Sequence, residues 1–368
     1  MKTLFLIIIA IHGLIHLMGF VKAFNLAELS QLTQSISKTS GIIWLLTSFL
    51  FLCSLGLYVF QKQEWLMVAT AAVVLSQIVI IQSWTDAKFG TITNAIILFP
   101  IIISFMNILP SSYKNIYKTE VQIRLSDIHD TSVVSKVDIR NIPEPVKKYL
   151  HYVGAVGKPK VHNFRAVING RMRFEKESKW MDIDAQQYNF TNNPTRLFFI
   201  ESKMFGIPFD GLHLYIDGNA TMQIKVASIF KMVDAKGNEM NQGETVTLFN
   251  DMCLLAPATL IDKNIQWESI DSLTVKAKFT NKSNVITALL YFNEKGELIN
   301  FISNDRYQSV DGRTYNNYKW STPIKGYKDF DGRKIPTSGE AIWHTPDGSF
   351  SYANFYIKEI EYNCKKYK

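Results

Sequence analysis

Two histidines four residues apart, His12 and His16, sit in the stretch HGLIHLMGF, inside an apolar run at the start of the chain. On a helix they share one face, one turn apart. Neutral imidazoles at this spacing can hold one zinc, copper or haem iron. They can equally bond to Ser, Thr or Gln on a neighbouring helix. A metal would need further ligands, and the other apolar runs offer few: Cys53, Gln77 and Asp86. Polar groups inside a membrane are either functional or bonded to partners. His12 and His16 therefore stand as candidate metal ligands, with interhelical hydrogen bonding as the competing reading.

Later in the chain, Glu244 and Asp251 lie seven residues apart on one helical stripe. Two carboxylates on one face can serve acid–base chemistry. However, Glu244 stands at the expected helix start, where negative charge is favoured anyway, and Asp251 reads as a surface group. His213 and His344 each stand alone in a strand pattern and read as structural. Arg306, in Asn-Asp-Arg-Tyr and flanked by Trp320, can make a surface ion pair or pair an acidic headgroup at a cavity mouth. No Ser-His-Asp set, glycine-rich phosphate loop or HExxH word is present. Cys53, Cys253 and Cys364 are scattered, without metal spacing or a disulfide framework. No catalytic residue and no cofactor is expected.

The elements that must position these groups fall into two parts. The chain has 368 residues, 47% hydrophobic, and a formal charge of +8, most of whose excess follows residue 110. Four apolar stretches are long enough to cross a bilayer: Thr3 to Phe24, Gly41 to Phe60, Trp65 to Trp84 and Ile92 to Leu109. The first is long for a signal-peptide core and is expected to stay as a span. Trp44, Trp65 and Trp84 suit the membrane interface. Gly13, Gly19 and Gly56 allow close helix approach. The lysine distribution predicts that the N-terminus and the C-terminal domain face the cytoplasm.

A polar stretch without clear period, residues 111–140, is expected to be a linker between a transmembrane domain, 1–110, and a soluble domain, 141–368. The latter opens with a short amphipathic helix on Val146, Tyr149, Leu150 and Val153. From Val161 onward the pattern alternates with period two, as in Met181, Ile183 and Ala185. Turn signals separate the runs: Asp217-Gly218, Asp311-Gly312, Asp331-Gly332 and Asp347-Gly348. About ten strands predict a large antiparallel sheet, which must curl or cover one face. One segment, Glu244 to Leu255, is helical and suits a plug over the open side. The fold class is thus membrane α plus soluble β: four transmembrane helices, then a curled half-barrel with a covering helix.

Several words, among them HGLIHLMGFVKAF, PEPVKKYLHYVGAVGKP and Gly339-Glu-Ala-Ile-Trp-His, resemble a family of uncharacterised bacterial multi-pass membrane proteins. That resemblance names no activity. The stretch Gly326-Tyr-Lys-Asp-Phe-Asp-Gly-Arg-Lys-Ile-Pro-Thr resembles a word of the LolA-like lipoprotein carriers. Those domains imply a curled sheet with a helical lid over a lipid-sized apolar cavity.

Together these features predict a non-enzymatic protein of the bacterial cytoplasmic membrane. Its partners would be the bilayer and a lipid or other apolar molecule. No nucleic-acid module is present. The candidate cavity residues are Phe198, Phe199, Phe205, Leu214, Phe249, Met252, Leu255, Phe279, Tyr291 and Phe301, with Arg306, and a solid core built from the same apolar side chains is the competing reading. The alternatives are a metal- or haem-dependent redox protein using His12 and His16, and an envelope scaffold that binds another protein.

Overall fold

The structure is a computed structural model that describes residues 2–125, 130–204 and 206–368. The chain divides into two compact units, Met1–Leu109 and Pro110–Lys368.

The first unit is helical: α1 (Lys2–Ile15), α2 (Leu17–Ala23), α3 (Lys38–Val59), α4 (Trp65–Gln82), the single turn α5 (Trp84–Ala87) and α6 (Gly90–Ile108). Four helical stretches are long and apolar enough to cross a membrane: Thr3–Ala23, Lys38–Val59, Trp65–Gln82 and a fourth beginning at Gly90. Their outward faces stay apolar, with Ile11, Phe49, Met67, Ile81 and Phe105 exposed. A bundle built for water would carry charge there. Two of the three glycines act as expected. A Cβ on Gly13 would stand 2.9 Å from Phe51 Cβ, and one on Gly19 would stand 2.1 Å from the Trp44 ring. Gly56 has open space around it, so its role as a contact point is corrected. Trp44 is corrected too. It is buried against Gly19 and His16 rather than set at an interface. Gly19→Ala should therefore cost about 1–3 kcal/mol of overpacking, while Gly56→Ala should leave stability unchanged or raise it. Thermal unfolding in detergent tests the pair, and equal midpoints for both variants would refute the close approach.

The second unit begins with α7 (Tyr113–Arg124), inside the stretch read as a linker. The correction has a local cause. Tyr113, Tyr117 and Val121 recur every fourth residue and make a narrow apolar stripe among lysines, and Ser112 caps it by accepting from Asn115 N. Residues 126–129 of that stretch lie outside the described residues. Next come α8 (Glu144–Tyr152), then β1 (Asn163–Met172), β2 (Met181–Phe190), β3 (Thr195–Met204), β4 (Ile207–Ile216), β5 (Asn219–Val226) and β6 (Phe230–Lys236). The helix α9 (Asn238–Leu254) interrupts the strands. They resume with β7 (Ile265–Ser269), β8 (Thr274–Asn281), β9 (Asn284–Phe292), β10 (Leu298–Ser303), β11 (Tyr307–Gln308), β12 (Asn316–Asn317), β13 (Lys319–Ser321), β14 (Ile324–Phe330), β15 (Arg333–Thr345) and β16 (Gly348–Tyr362).

Fourteen strands form one antiparallel sheet in the order β6-β5-β4-β3-β2-β1-β16-β15-β13-β10-β9-β8-β7, with β14 on β15. Its ends, β6 and β7, do not pair, so the sheet is open rather than a closed barrel. The Asp-Gly turns work as expected. Asp217 and Gly218, and Asp331 and Gly332, all have positive φ, the backbone of a tight hairpin. The sheet wraps α9, which touches β5 and β6 on one side and β9 and β10 on the other. The helix is consequently buried all round from Gly243 to Cys253, and it starts six residues earlier than its apolar stripe. The outer face of β2, β3 and β4 is also covered. Tyr188, Phe190, Leu197, Phe199 and Leu212 pack there with Tyr113, Tyr117 and Val121 of α7.

Candidate functional site

Between α9 and the concave face of the sheet lies a cavity of about 290 Å³. Its walls are mostly apolar: Ile168 of β1, Phe198 and Ile200 of β3, Ile224 of β5, Ala235 of β6, Ala341 of β15 and Leu255 after α9. Alternation explains the choice. Arg196, Phe198 and Ile200 share the inner face of β3, and Phe199 faces out.

The floor is charged. Arg196 Nε donates to Asp251 Oδ2 at 2.7 Å, and its other nitrogens reach Glu244 Oε2 at 3.4 Å and Gln187 Oε1 at 3.3 Å. Asp251 Oδ2 also accepts from Gln187 Nε2 at 2.7 Å and Asn189 Nδ2 at 3.1 Å. Three donors on Oδ2 leave no proton on that oxygen. Glu244 Oε1 accepts from Thr247 Oγ1 at 3.0 Å and lies 3.6 Å from Arg306. His213 Nδ1 stands 3.5 Å from Arg196 NH1. Arginine only donates, so Nδ1 accepts and the ring proton is assigned to Nε2, which lies 3.2 Å from Glu244 Oε2 but out of hydrogen-bond alignment with it. Two guanidinium groups thus face two carboxylates, and the floor is neutral overall.

Burial and the charged partners oppose each other, and burial wins at His213 and Asp251 but not at Glu244. It presses the His213 ring down to about 4, against the pull of Glu244. It would raise the Glu244 carboxyl, but the Arg196 and Arg306 guanidinium groups, the bond from Thr247 and, once protonated, His213 hold that group below the ordinary glutamate value. It lifts the Asp251 carboxyl above its usual range against the attraction of Arg196.

These shifts predict a pH dependence. Below about pH 6.5 the unfolded chain protonates His213, while the folded ring stays neutral down to about pH 4. Unfolding then takes up a proton, and stability falls by on the order of 3 kcal/mol across that window. Glu244 acts in the same direction: its share is present above the unfolded value and lost on acidification. The raised Asp251 carboxyl acts oppositely, since its stabilising share is present at low pH and lost as pH rises. Unfolding midpoints of wild type and His213→Gln between pH 7 and 4 test this. Parallel curves would show that His213 contributes nothing.

Arg306 is held differently from Arg196. Its guanidinium lies 4.4 Å from the Trp320 ring and 5.3 Å from that of Trp343. Nε donates to Thr247 Oγ1 at 3.2 Å and NH1 to Tyr352 OH at 2.9 Å. Among the described residues, NH2 makes only the 3.6 Å ion pair with Glu244. Arg306 therefore keeps donors for a group inside the cavity, which it lines.

Of the residues expected to form the cavity, the structure places Phe198, Leu255 and Arg306 on it. Phe249 stacks on Phe279 at 5.1 Å and meets Phe301 at 5.8 Å, so these three are solid core, joined by the buried Met252. Phe199 and Leu214 lie on the opposite face, under α7. Tyr291 alternates with the buried Leu290 and is half-buried on the other face. Phe205 lies outside the described residues. Asp251, read as a surface group, is buried on the floor. Sequence reasoning missed Arg196 and Gln187. A signal existed for Arg196, a charge in phase with Phe198 and Ile200 on the inward face.

In the helical unit, His12 Nε2 donates to Asn94 Oδ1 at 2.9 Å, beside Ser76 Oγ at 3.3 Å. Asn94 Nδ2 donates in turn to Gln77 at 3.0 Å. His16 Nδ1 donates to the carbonyl of His12 at 2.7 Å, which leaves Nε2 a bare lone pair, buried and without a hydrogen-bond partner. No group of three His, Cys, Asp or Glu side chains gathers at a metal-binding spacing among the described residues.

Four apolar helices and an open half-barrel wrapped round a buried helix define a class: an apolar helical unit followed by a cavity-bearing β unit. The chain belongs to a family of unknown function, DUF6544, whose pattern matches residues 132–355. No curated protein matches it. Three of the solved structures that are similar to part of this chain are these. One is a putative outer membrane lipoprotein-sorting protein domain from Vibrio parahaemolyticus, 8% identical, covering 60% of this chain and 91% of its own, with a TM-score of 0.34. Another is a LolA superfamily protein from Nitrosomonas europaea, at 10%, 59%, 93% and 0.33. The third is a DUF1329 family protein from Desulfovibrio piger, at 9%, 59%, 91% and 0.35. These are likenesses of outline, and the site rests on its own residues.

Proposed function

We propose that the β unit binds a lipid or another apolar molecule carrying one hydrogen-bond-accepting group, without a reaction of its own. The observation that carries this reading is the cavity, apolar on its walls and served by one aromatic-clamped guanidinium with spare donors. Apolar pockets with a few convergent polar groups are the usual form of a small-molecule site, and 290 Å³ stands near the lower end of their size range. In this reading the four helices anchor the protein as a multi-pass protein of the bacterial cytoplasmic membrane, with the β unit on the lysine-rich cytoplasmic side.

Native mass spectrometry of the full-length protein released from mild detergent tests the reading. A stoichiometric lipid-sized adduct is expected, and Arg306→Met should lower its occupancy about tenfold, the loss of one charge-assisted bond. A ligand-free spectrum from folded protein, with none regained on adding lipid, would overturn it.

The bare Nε2 of His16 favours a second reading, a metal or haem held in the helical unit. A colourless, metal-free preparation with unaltered lipid binding would remove it.

A further inference from the structure

Strand register separates the two ends of the half-barrel. Met172 pairs with Met181, Lys203 with Pro208 and Val226 with Phe230. The β1–β2, β3–β4 and β5–β6 connections therefore gather at one end. The β2–β3 and β4–β5 turns gather at the other, where they read Thr-Asn-Asn-Pro and Asp-Gly. The two ends differ in chemistry. At the first, Phe174, Ile207, Phe230 and Met232 are exposed, the last by 63%. Segments 171–180, 203–207 and 225–231 also carry seven lysines and arginines against two glutamates. The cavity reaches this end, since Arg173 and the exposed Phe174 line it. Tyr113 is packed at this end, its ring 4.3 Å from Lys225 Nζ, five residues after Ile108 closes the last apolar helix.

We propose that this end of the half-barrel docks on an anionic lipid bilayer. Phe174, Phe230 and Met232 would enter the headgroup boundary, and the exposed Lys176, Lys179 and Lys203 would face lipid phosphates. The charge excess matches such a surface, and basic side chains ringing exposed apolar ones are the composition that interfacial binding uses. A bilayer also suits the spread of these groups over three separate turns, because a fluid surface conforms to them all. Docking stands independently of the cavity reading. If both hold, a lipid passes between bilayer and cavity without crossing water.

The test uses full-length protein with Cys53→Ser, leaving Cys253 and Cys364 buried, and nitroxide labels at Ser178→Cys, Met232→Cys or, as the far-end control, Asn192→Cys. The protein is reconstituted in vesicles of phosphatidylglycerol and phosphatidylcholine at one to three, and in phosphatidylcholine alone. Labels at 178 and 232 should be relaxed by oxygen at least threefold more than by an aqueous nickel chelate in the anionic vesicles. The label at 192 should show the reverse. K176Q and K179Q should each lower the docked-to-free ratio about fivefold. Nickel access at 178 and 232 equal to that at 192, or equal immersion in both lipids, would overturn the proposal. Native mass spectra of the same samples separate the two ideas. Bound lipid without immersion refutes docking alone, and immersion without bound lipid refutes the cavity reading alone.

Discussion

Arg196→Met should destabilise the β unit by about 3–5 kcal/mol, the cost of stranding buried charges by removing their partner. Arg196 is the hub of the floor. It meets Asp251, Glu244 and Gln187 directly, and all three are buried. Methionine keeps the bulk and the contact with Phe198, over which the guanidinium lies at 4.6 Å, so the loss reports charge rather than volume. Asp251 would keep its bonds from Gln187 and Asn189 but no cation, and Glu244 would keep its bond from Thr247 with Arg306, at 3.6 Å, as its remaining guanidinium. Urea unfolding of the full-length protein, followed by near-ultraviolet circular dichroism, measures the change. The double variant Arg196→Met with Asp251→Leu should recover much of the loss, because a buried ion pair is often replaceable by apolar groups. A loss below about 1 kcal/mol in the single variant, or no recovery in the double, would show that the floor is not a coupled unit.

The second large effect concerns the cavity. Ala235→Phe on β6 and Ala341→Phe on β15 each add a phenyl ring to a space of about 290 Å³. Each should reduce bound lipid at least tenfold and cost about 1–3 kcal/mol of stability from overpacking. The contrast is Phe199→Ala. It removes a side chain buried under α7, and should cost about 3–5 kcal/mol with lipid occupancy unchanged in the folded protein. Native mass spectrometry beside thermal unfolding reads both quantities. Full lipid occupancy in both filled variants would end the cavity assignment, and lipid loss in folded Phe199→Ala would show that the ligand sits elsewhere.

The reach of the sequence followed the range of the physics involved. The length and polarity of apolar runs are local, and they determined four helices able to span a bilayer. Period-two alternation and Asp-Gly turns are local as well, and they determined an antiparallel sheet with hairpins at Asp217-Gly218 and Asp331-Gly332. They also required one helix among the strands. Alternation could separate Phe198 from Phe199, yet it could not say which of them faces α9. Both are buried, because α7 covers the face that a lone sheet would leave to water. The helix α9 showed one apolar stripe but lost its polar face to enclosure by the curling sheet, so Glu244 and Asp251 became buried partners instead of surface charges. The floor itself belongs to the tertiary structure alone. Gln187, Arg196, His213, Glu244 and Arg306 come from β2, β3, β4, α9 and the segment after β10. Each is an ordinary polar residue in its own stretch. Their meaning arises only where sheet curvature carries them into a space without water, in which every charge must find a partner.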